Sequence, residues 1–198
     1  MLILVRHGRT AYNASRRLLG RLDVGLDELG ARQVAALARS SRLQGVRRVV
    51  TSPLQRTVAT ALAIGAACNV EPDVDDRWVE IDYGVYDGLP LPEVPPSVWE
   101  AWQRDPEWAP DGGESLGSVA RRVRQACTEL WNEAADRDIA VVSHVSPVKA
   151  ALAWGMGLSA ETPLNLFVEV ASLHRIGPGR GGAPTLLSLN ETSDRPVC

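Results

Sequence analysis

MLILVRHGRT, residues 1–10, is the stretch on which the reading of this chain turns. Leu2, Ile3, Leu4 and Val5 form an unbroken apolar run, the pattern of a short strand buried on both faces, as in a parallel sheet. The run stops at Arg6, His7 and Gly8. In open α/β sheets ligands bind beyond the carboxyl ends of the strands. Arg6 and His7 are therefore expected to point into a site, and Gly8 to let the backbone turn closely past it. A lone Arg-His pair at a strand end is usually just solvated. Here the weight comes from two further strands that end in the same way.

Composition sets the outer limits. At 198 residues the chain is expected to form one domain, residues 1–198, with a substantial core. A net charge of -3 provides no global basic field, so no nucleic-acid partner is expected. Cys68, Cys127 and Cys198 are scattered, without metal-ligand spacing. A reducing cytoplasmic setting follows as an expectation, and no cofactor is called for. No apolar stretch approaches the ~20 residues that span a bilayer, and the N-terminal run is too short and lacks the basic leader of a signal peptide.

Around this first strand the other elements follow in order. Asn13 lies one to two turns beyond His7. Gly20, Asp23 and Gly25 mark a loop, and Asp27 is placed to cap a helix to about Ser40 that buries Val34, Leu37 and Ala38. VRRVVT at 46–51 reads as a second strand. Ser52 and Gln55 have capping-box spacing and Pro53 suits a first helical position, so a helix is expected from there to about Ala67. Arg56 would stand near its N-terminus, where anions gather.

A weak strand follows at 70–74. Residues 77–113 are irregular, with Pro90, Pro92, Pro95, Pro96, Pro106 and Pro110 and with Trp78, Trp99, Trp102 and Trp108. A short helix is expected at 97–104, and residues 89–113 read as a lid-like insertion. Ser115 opens the longest helix, to about Ala135. Its stripe of Leu116, Val119, Ala120, Val123, Cys127, Leu130, Trp131 and Ala134 makes Cys127 a core residue.

Ile139–Val142 is the third apolar run and ends in Ser143-His144, with a helix after it at 148–154. Residues 166–170 and 185–189 alternate and are expected to form a late antiparallel pair at the sheet edge, joined through a glycine-rich turn at 177–182. The strand at 166–170, as an edge strand, offers a surface through which a homodimer would pair. His174 has no companion signal and is expected to be structural or exposed.

Two arginines and two histidines, Arg6, His7, Arg56 and His144, would thus meet at one rim. Guanidinium groups bind phosphate oxygens through paired hydrogen bonds, Asn13 adds a neutral donor, and imidazole is a competent nucleophile near neutral pH. RHGRT at 6–10, Asn13, SPLQRTVATA at 52–61, WVEIDYGVYDG at 78–88, GGES at 112–115 and VVSH at 141–144 resemble, in order, the motifs of the histidine phosphatase superfamily, the phosphoglycerate mutase-like group.

The resemblance implies a three-layer α/β/α sandwich with a mainly parallel sheet and an antiparallel edge strand. It implies that His7 becomes phosphohistidine, that Arg6, Arg56, His144 and Asn13 hold the phosphate, and that Glu80 is the proton donor, with Asp82 as the alternative. A small phosphorylated substrate and no metal are implied as well. In that scheme neutral His7 attacks phosphorus, Arg6 and Arg56 depress its pKa, and Glu80 protonates the leaving alkoxide. A rate falling on the alkaline side follows.

The chain departs from the family pattern at two places. Leu19 stands before Gly20 where the family often has Gln, and Val145-Ser146-Pro147 follow His144 where it commonly has Gly; the Val145 amide is expected to face the phosphate. The charges between residues 89 and 113 are Arg104 against Glu93, Glu100, Asp105, Glu107 and Asp111. That acidic balance favours a phosphomonoesterase, whose leaving group stacks on the tryptophans, over a cofactor-dependent mutase. A catalytically inactive phospho-ligand-binding domain is the reading of another class.

Overall fold

The computed structural model describes residues 1–159 and 165–193; Cys198 lies outside them. A sheet of six strands runs in the order β3-β2-β4-β1-β5-β6. The strands are β1 (Leu2–Arg6), β2 (Val46–Thr51), β3 (Pro72–Val74), β4 (Asp138–Ser143), β5 (Leu173–Pro178) and β6 (Pro184–Glu191). β1, β2, β3 and β4 pair in parallel, β5 pairs antiparallel with β1, and β6 antiparallel with β5. The antiparallel strand therefore lies one place in from the edge, and β6 forms the edge.

The apolar run of β1 is buried throughout because both of its faces are covered. Leu2 and Leu4 pack with Ile139 and Val141 against α5 (Leu116–Glu133) and α6 (Val145–Gly155). Ile3 and Val5 pack with Ala140 and Val142 against α2 (Glu28–Leu37) and α3 (Gln55–Cys68). Three layers result. Asp27 caps α2 by accepting from the Gly30 amide at 2.7 Å, and Ser115 caps α5 by accepting from Ser118 at 3.1 Å. Cys127 is fully buried in the α5 stripe. Among the described residues no helix is long and apolar enough to cross a membrane.

Two expectations are overturned. The pair Ser52–Gln55 makes no capping box: α3 starts at Gln55 after Leu54, with no side-chain cap. The Ser52 hydroxyl is instead taken by His144, and the Gln55 amide donates to Asp23 at 2.7 Å. A distant loop thus satisfies the helix start. Residues 166–170 form no strand either. Their carbonyls are claimed by side chains, Phe167 by Asn190 and Val168 by Arg6. The apolar alternation marks an irregular segment with Leu166 and Val168 on a cavity wall, not a sheet edge. The strand imagined for a dimer is thereby lost.

Between β3 and α5 the chain makes short 3-10 turns and one helix, α4 (Pro96–Arg104), which tucks Val98 and Trp102 onto the core. The remaining helix, α1 (Ala11–Ala14), is one turn capped by Thr10.

Candidate active site

Three adjacent strands deliver their carboxyl ends together: Arg6 of β1 pairs with Ser143 of β4, and Val142 of β4 with Thr51 of β2. His7, His144 and Ser52 follow directly. Gly8 lets the chain leave β1 hard against α2: a Cβ there would lie 2.6 Å from Val34 and 2.7 Å from the Gly30 carbonyl oxygen.

His7 is buried, and its Nδ1 lies 2.7 Å from the Gly8 carbonyl. A carbonyl only accepts, so Nδ1 carries the proton and Nε2 keeps its lone pair. Burial first, then the charges of Arg6 and Arg56, hold the imidazole well below its ordinary pKa. The direction is the expected one, but desolvation leads it. The His144 ring stands 5.1 Å away, edge-on.

Arg56 is wholly buried in the first turn of α3. It donates to the Leu22 and Gly20 carbonyls at 2.8 and 2.7 Å and, through Nε, to His144 Nδ1 at 3.2 Å. Burial lowers its pKa to about 10 despite Glu80, Asp23 and Asp87 nearby. His144 Nδ1 accepts from Arg56, so its proton is on Nε2 and is given to Ser52 Oγ at 2.8 Å. Both ring nitrogens are engaged, and His144 here positions Arg56; to touch a phosphate it must open one of these bonds. Arg6 donates to the Val168 carbonyl at 2.6 Å, while its buried Nε has no partner.

The Glu80 carboxylate is buried and accepts from the amides of Ile81, Val145 and Ser146 at 2.8, 3.0 and 3.1 Å. The Val145 amide expected to face a phosphate is therefore spent on Glu80. Asp82 is not on the cavity wall and holds the Gly84 turn through a 2.8 Å bond. Asn13 lines the cavity and spends its carbonyl oxygen on Thr10, which leaves Nδ2 as its donor.

Arg6, His7, Asn13 and Glu80 open into a cavity of about 780 Å³, whereas Arg56 and His144 lie behind its lining. Leu18, Leu19, Leu91, Trp99, Trp102 and Phe167 supply much of its apolar wall. Trp102 is held edge-on by Tyr83 and Trp108 at 5.7 and 5.3 Å, and Trp99 lies 5.7 Å away. Trp78 lies in the core, away from the cavity. Segment 89–113 presents Leu91, Trp99, Trp102, Gln103 and Pro106 to the cavity, all uncharged, and none of its carboxylates. The acidic-lid argument therefore fails: Glu107, for instance, is turned outward to Arg121.

Sequence reading missed Ser52 as a partner of His144, and Tyr83, Lys149, Arg124 and Arg17 as cavity residues. Only Lys149 left a trace in the sequence, as the one lysine of the chain. His174 is structural: buried, its Nδ1 accepts from the Asn190 amide and its Nε2 donates to Ser172, and burial lowers its pKa to about 4. No three His, Cys, Asp or Glu side chains group as metal ligands among the described residues.

The chain belongs to the histidine phosphatase superfamily (branch 1), whose family model matches residues 2–192. Among its relatives is the bifunctional protein Rv2228c of Mycobacterium tuberculosis, 36% identical over 195 residues, which are 96% of this chain and 54% of that protein. The chain thus spans about half the length of the curated relatives it matches first. Phosphoserine phosphatase 1 of Hydrogenobacter thermophilus is 37% identical over 153 residues, 75% of this chain and 72% of that one. A mycobacterial glucosyl-3-phosphoglycerate phosphatase, solved in complex with VO3, superposes with a TM-score of 0.86 at 31% identity, covering 96% of this chain and 98% of the other.

Proposed function

We propose that this protein is a phosphomonoesterase for a small phosphorylated metabolite and works through a phosphohistidine intermediate without a metal. The observation that carries the reading is the state of His7: neutral, with Nδ1 tied to Gly8 and Nε2 free, between two buried guanidinium groups. Nε2 attacks phosphorus, forming the N–P bond as the ester P–O bond breaks. Arg6 and Arg56 take the charge that spreads over the non-bridging oxygens. Asn13 Nδ2 and, once freed, a nitrogen of His144 complete the phosphate contacts.

Glu80 is the proton donor. It stands at the start of α6, and it is the acidic residue among those lining the cavity. Its proton goes to the leaving alkoxide. In the second half-reaction the same carboxylate takes a proton from water, whose oxygen attacks phosphorus while the N–P bond breaks, restoring neutral His7. The relatives named as phosphatases support the same class of reaction.

Residues 89–113 act as the roof of the cavity in one domain, with Trp99 and Trp102 against the leaving group. A cytoplasmic setting suits Cys68 and Cys127, which are both free thiols. A cofactor-dependent mutase remains the second reading, because the uncharged cavity face of 89–113 removes the electrostatic objection to it. The deciding experiment is phosphate release from a panel of phosphoesters in metal-free buffer, beside His7→Ala and with phosphoglycerates tried with and without a bisphosphoglycerate primer. Release abolished in His7→Ala supports the phosphatase. Primer-dependent interconversion with little release means a mutase, and analogue binding without either means a binding domain.

A further inference from the structure

The cavity is much larger than the chemistry at phosphorus requires. Arg6, His7, Asn13 and Glu80 account for the phosphate and the proton, yet the space they open into is about 780 Å³. Pockets of roughly 300–1,000 Å³ enclose ligands of drug size, and a three-carbon phosphoester fills only a small part of one.

The surplus wall is apolar. Leu116, Val119 and Ala120 line it from α5, and Ala150 and Ala153 from α6. Positions three and four apart share one face of a helix, so each helix turns a single apolar stripe to the cavity. The cationic lining residues are engaged elsewhere. Arg17 and Arg124 donate at exposed positions to the carbonyls of Gly88 and Leu158, at 2.8 and 3.1 Å. Lys149 lies in the fields of Glu80 and Arg6, which places it with the phosphate machinery. A leaving group rich in hydroxyls or charge, laid along the two stripes, would be stripped of water without gaining partners there, a net cost. An alkyl chain gains by the same move.

We propose that the trough between α5 and α6 receives a long, uncharged hydrocarbon chain, so that the substrate is the phosphate monoester of a chain-like apolar alcohol. The proposal deepens the phosphatase reading and rests on its placing of the phosphate at His7. The bond changes at phosphorus stay as described above; the alcohol released carries the chain.

The test is a series of n-alkyl phosphates, ethyl, butyl, hexyl and octyl. All four release a primary alkoxide, so the chemistry is constant and only the chain grows. In the wild type kcat/KM should rise by about two- to fourfold per methylene, the worth of removing that group from water. Hexyl phosphate should exceed glucose 6-phosphate, another six-carbon primary ester, by at least about tenfold, because the sugar strands its hydroxyls. Ala150→Leu, which fills part of the trough, should lower the octyl-to-ethyl ratio.

A second readout needs neither turnover nor a variant. The n-alkyl phosphonates of the same lengths have no ester oxygen to release, and their affinity for the wild type, read by calorimetry, should tighten along the series in parallel with kcat/KM. Phosphate released at rates that stay flat or fall with chain length, a preference for glucose 6-phosphate, or an octyl-to-ethyl ratio unchanged in Ala150→Leu overturns the chain site and leaves the phosphatase standing. Phosphonate affinity that climbs with length in a protein that releases no phosphate from any ester keeps the chain site and overturns the phosphatase.

Discussion

At the scale of single residues, Arg56 shows why a site of this kind needs an arginine. Its fork holds the carbonyls of Gly20 and Leu22 while Nε steadies His144, three bonds in one plane from one buried cation. A lysine ammonium has the charge but not the geometry. Arg56→Lys should lower kcat/KM on any phosphoester by roughly a hundredfold, on the scale of losing charged hydrogen bonds in a buried network; steady-state kinetics beside an unchanged circular dichroism spectrum reads it. His7 titrates far below neutrality, so the nucleophile should stay available on the acid side of 6.5. Glu80→Gln should lower kcat, and turnover unchanged by that substitution contradicts the role given to Glu80.

At the scale of elements, the irregular segment before β5 carries more function than its lack of regular structure suggests. Asn190, at φ +54, accepts from the Glu169 amide and donates to the Phe167 carbonyl, at 2.8 and 2.6 Å. Its own amide is held by His174. The segment so clamped places the Val168 carbonyl on Arg6. Asn190→Ala should therefore raise KM for the phosphoester by several fold while costing about 1–3 kcal/mol of stability, since two backbone groups lose a partner. Inhibition by vanadate, weakened in parallel with KM, separates loss of Arg6 placement from simple destabilisation.

Sequence reading succeeded at this scale wherever one period governs a segment. The strands at 2–6, 46–51 and 138–143 and the stripe of α5 were legible because each is sandwiched between fixed neighbours. It failed at Ser52 and at 166–170. There the hydroxyl and the carbonyls are claimed by His144, Arg6 and Asn190, partners between 23 and 162 positions away in the chain. Local capping and alternation rules assume local partners, and the bonds that shape those segments come from far along the chain.

At the scale of the whole molecule, all three histidines are buried and all three have depressed pKa values. The folded state resists their protonation and the unfolded chain does not. Below the ordinary value of 6.5 the unfolded chain therefore binds more protons, and stability drains away as pH falls. The contribution is complete above 6.5. Each histidine removes up to about 1.4 kcal/mol per pH unit below it, and His174 stops doing so near its folded value of about 4. Thermal unfolding followed from pH 7 to 4.5 should show a steep decline, and His174→Gln should flatten part of it if the amide keeps the Asn190 and Ser172 bonds.

The gathering of Arg6, His7, Arg56 and His144 was legible because three strand ends carry them and a parallel sheet aligns its strand ends. The distribution of charge over the cavity was not legible. The carboxylates of 89–113 are numerous in the sequence but do not line the cavity, whereas Lys149 of α6 does.

The central claim is that phosphate passes through His7. The most direct measurement is a rapid-quench experiment with a radiolabelled phosphoester, stopped in base because phosphohistidine is acid-labile, followed by peptide mapping. The account predicts a burst of about one label per chain on the peptide bearing His7, absent in His7→Ala along with turnover. Turnover without a label, or His7→Ala retaining wild-type phosphate release, would contradict it.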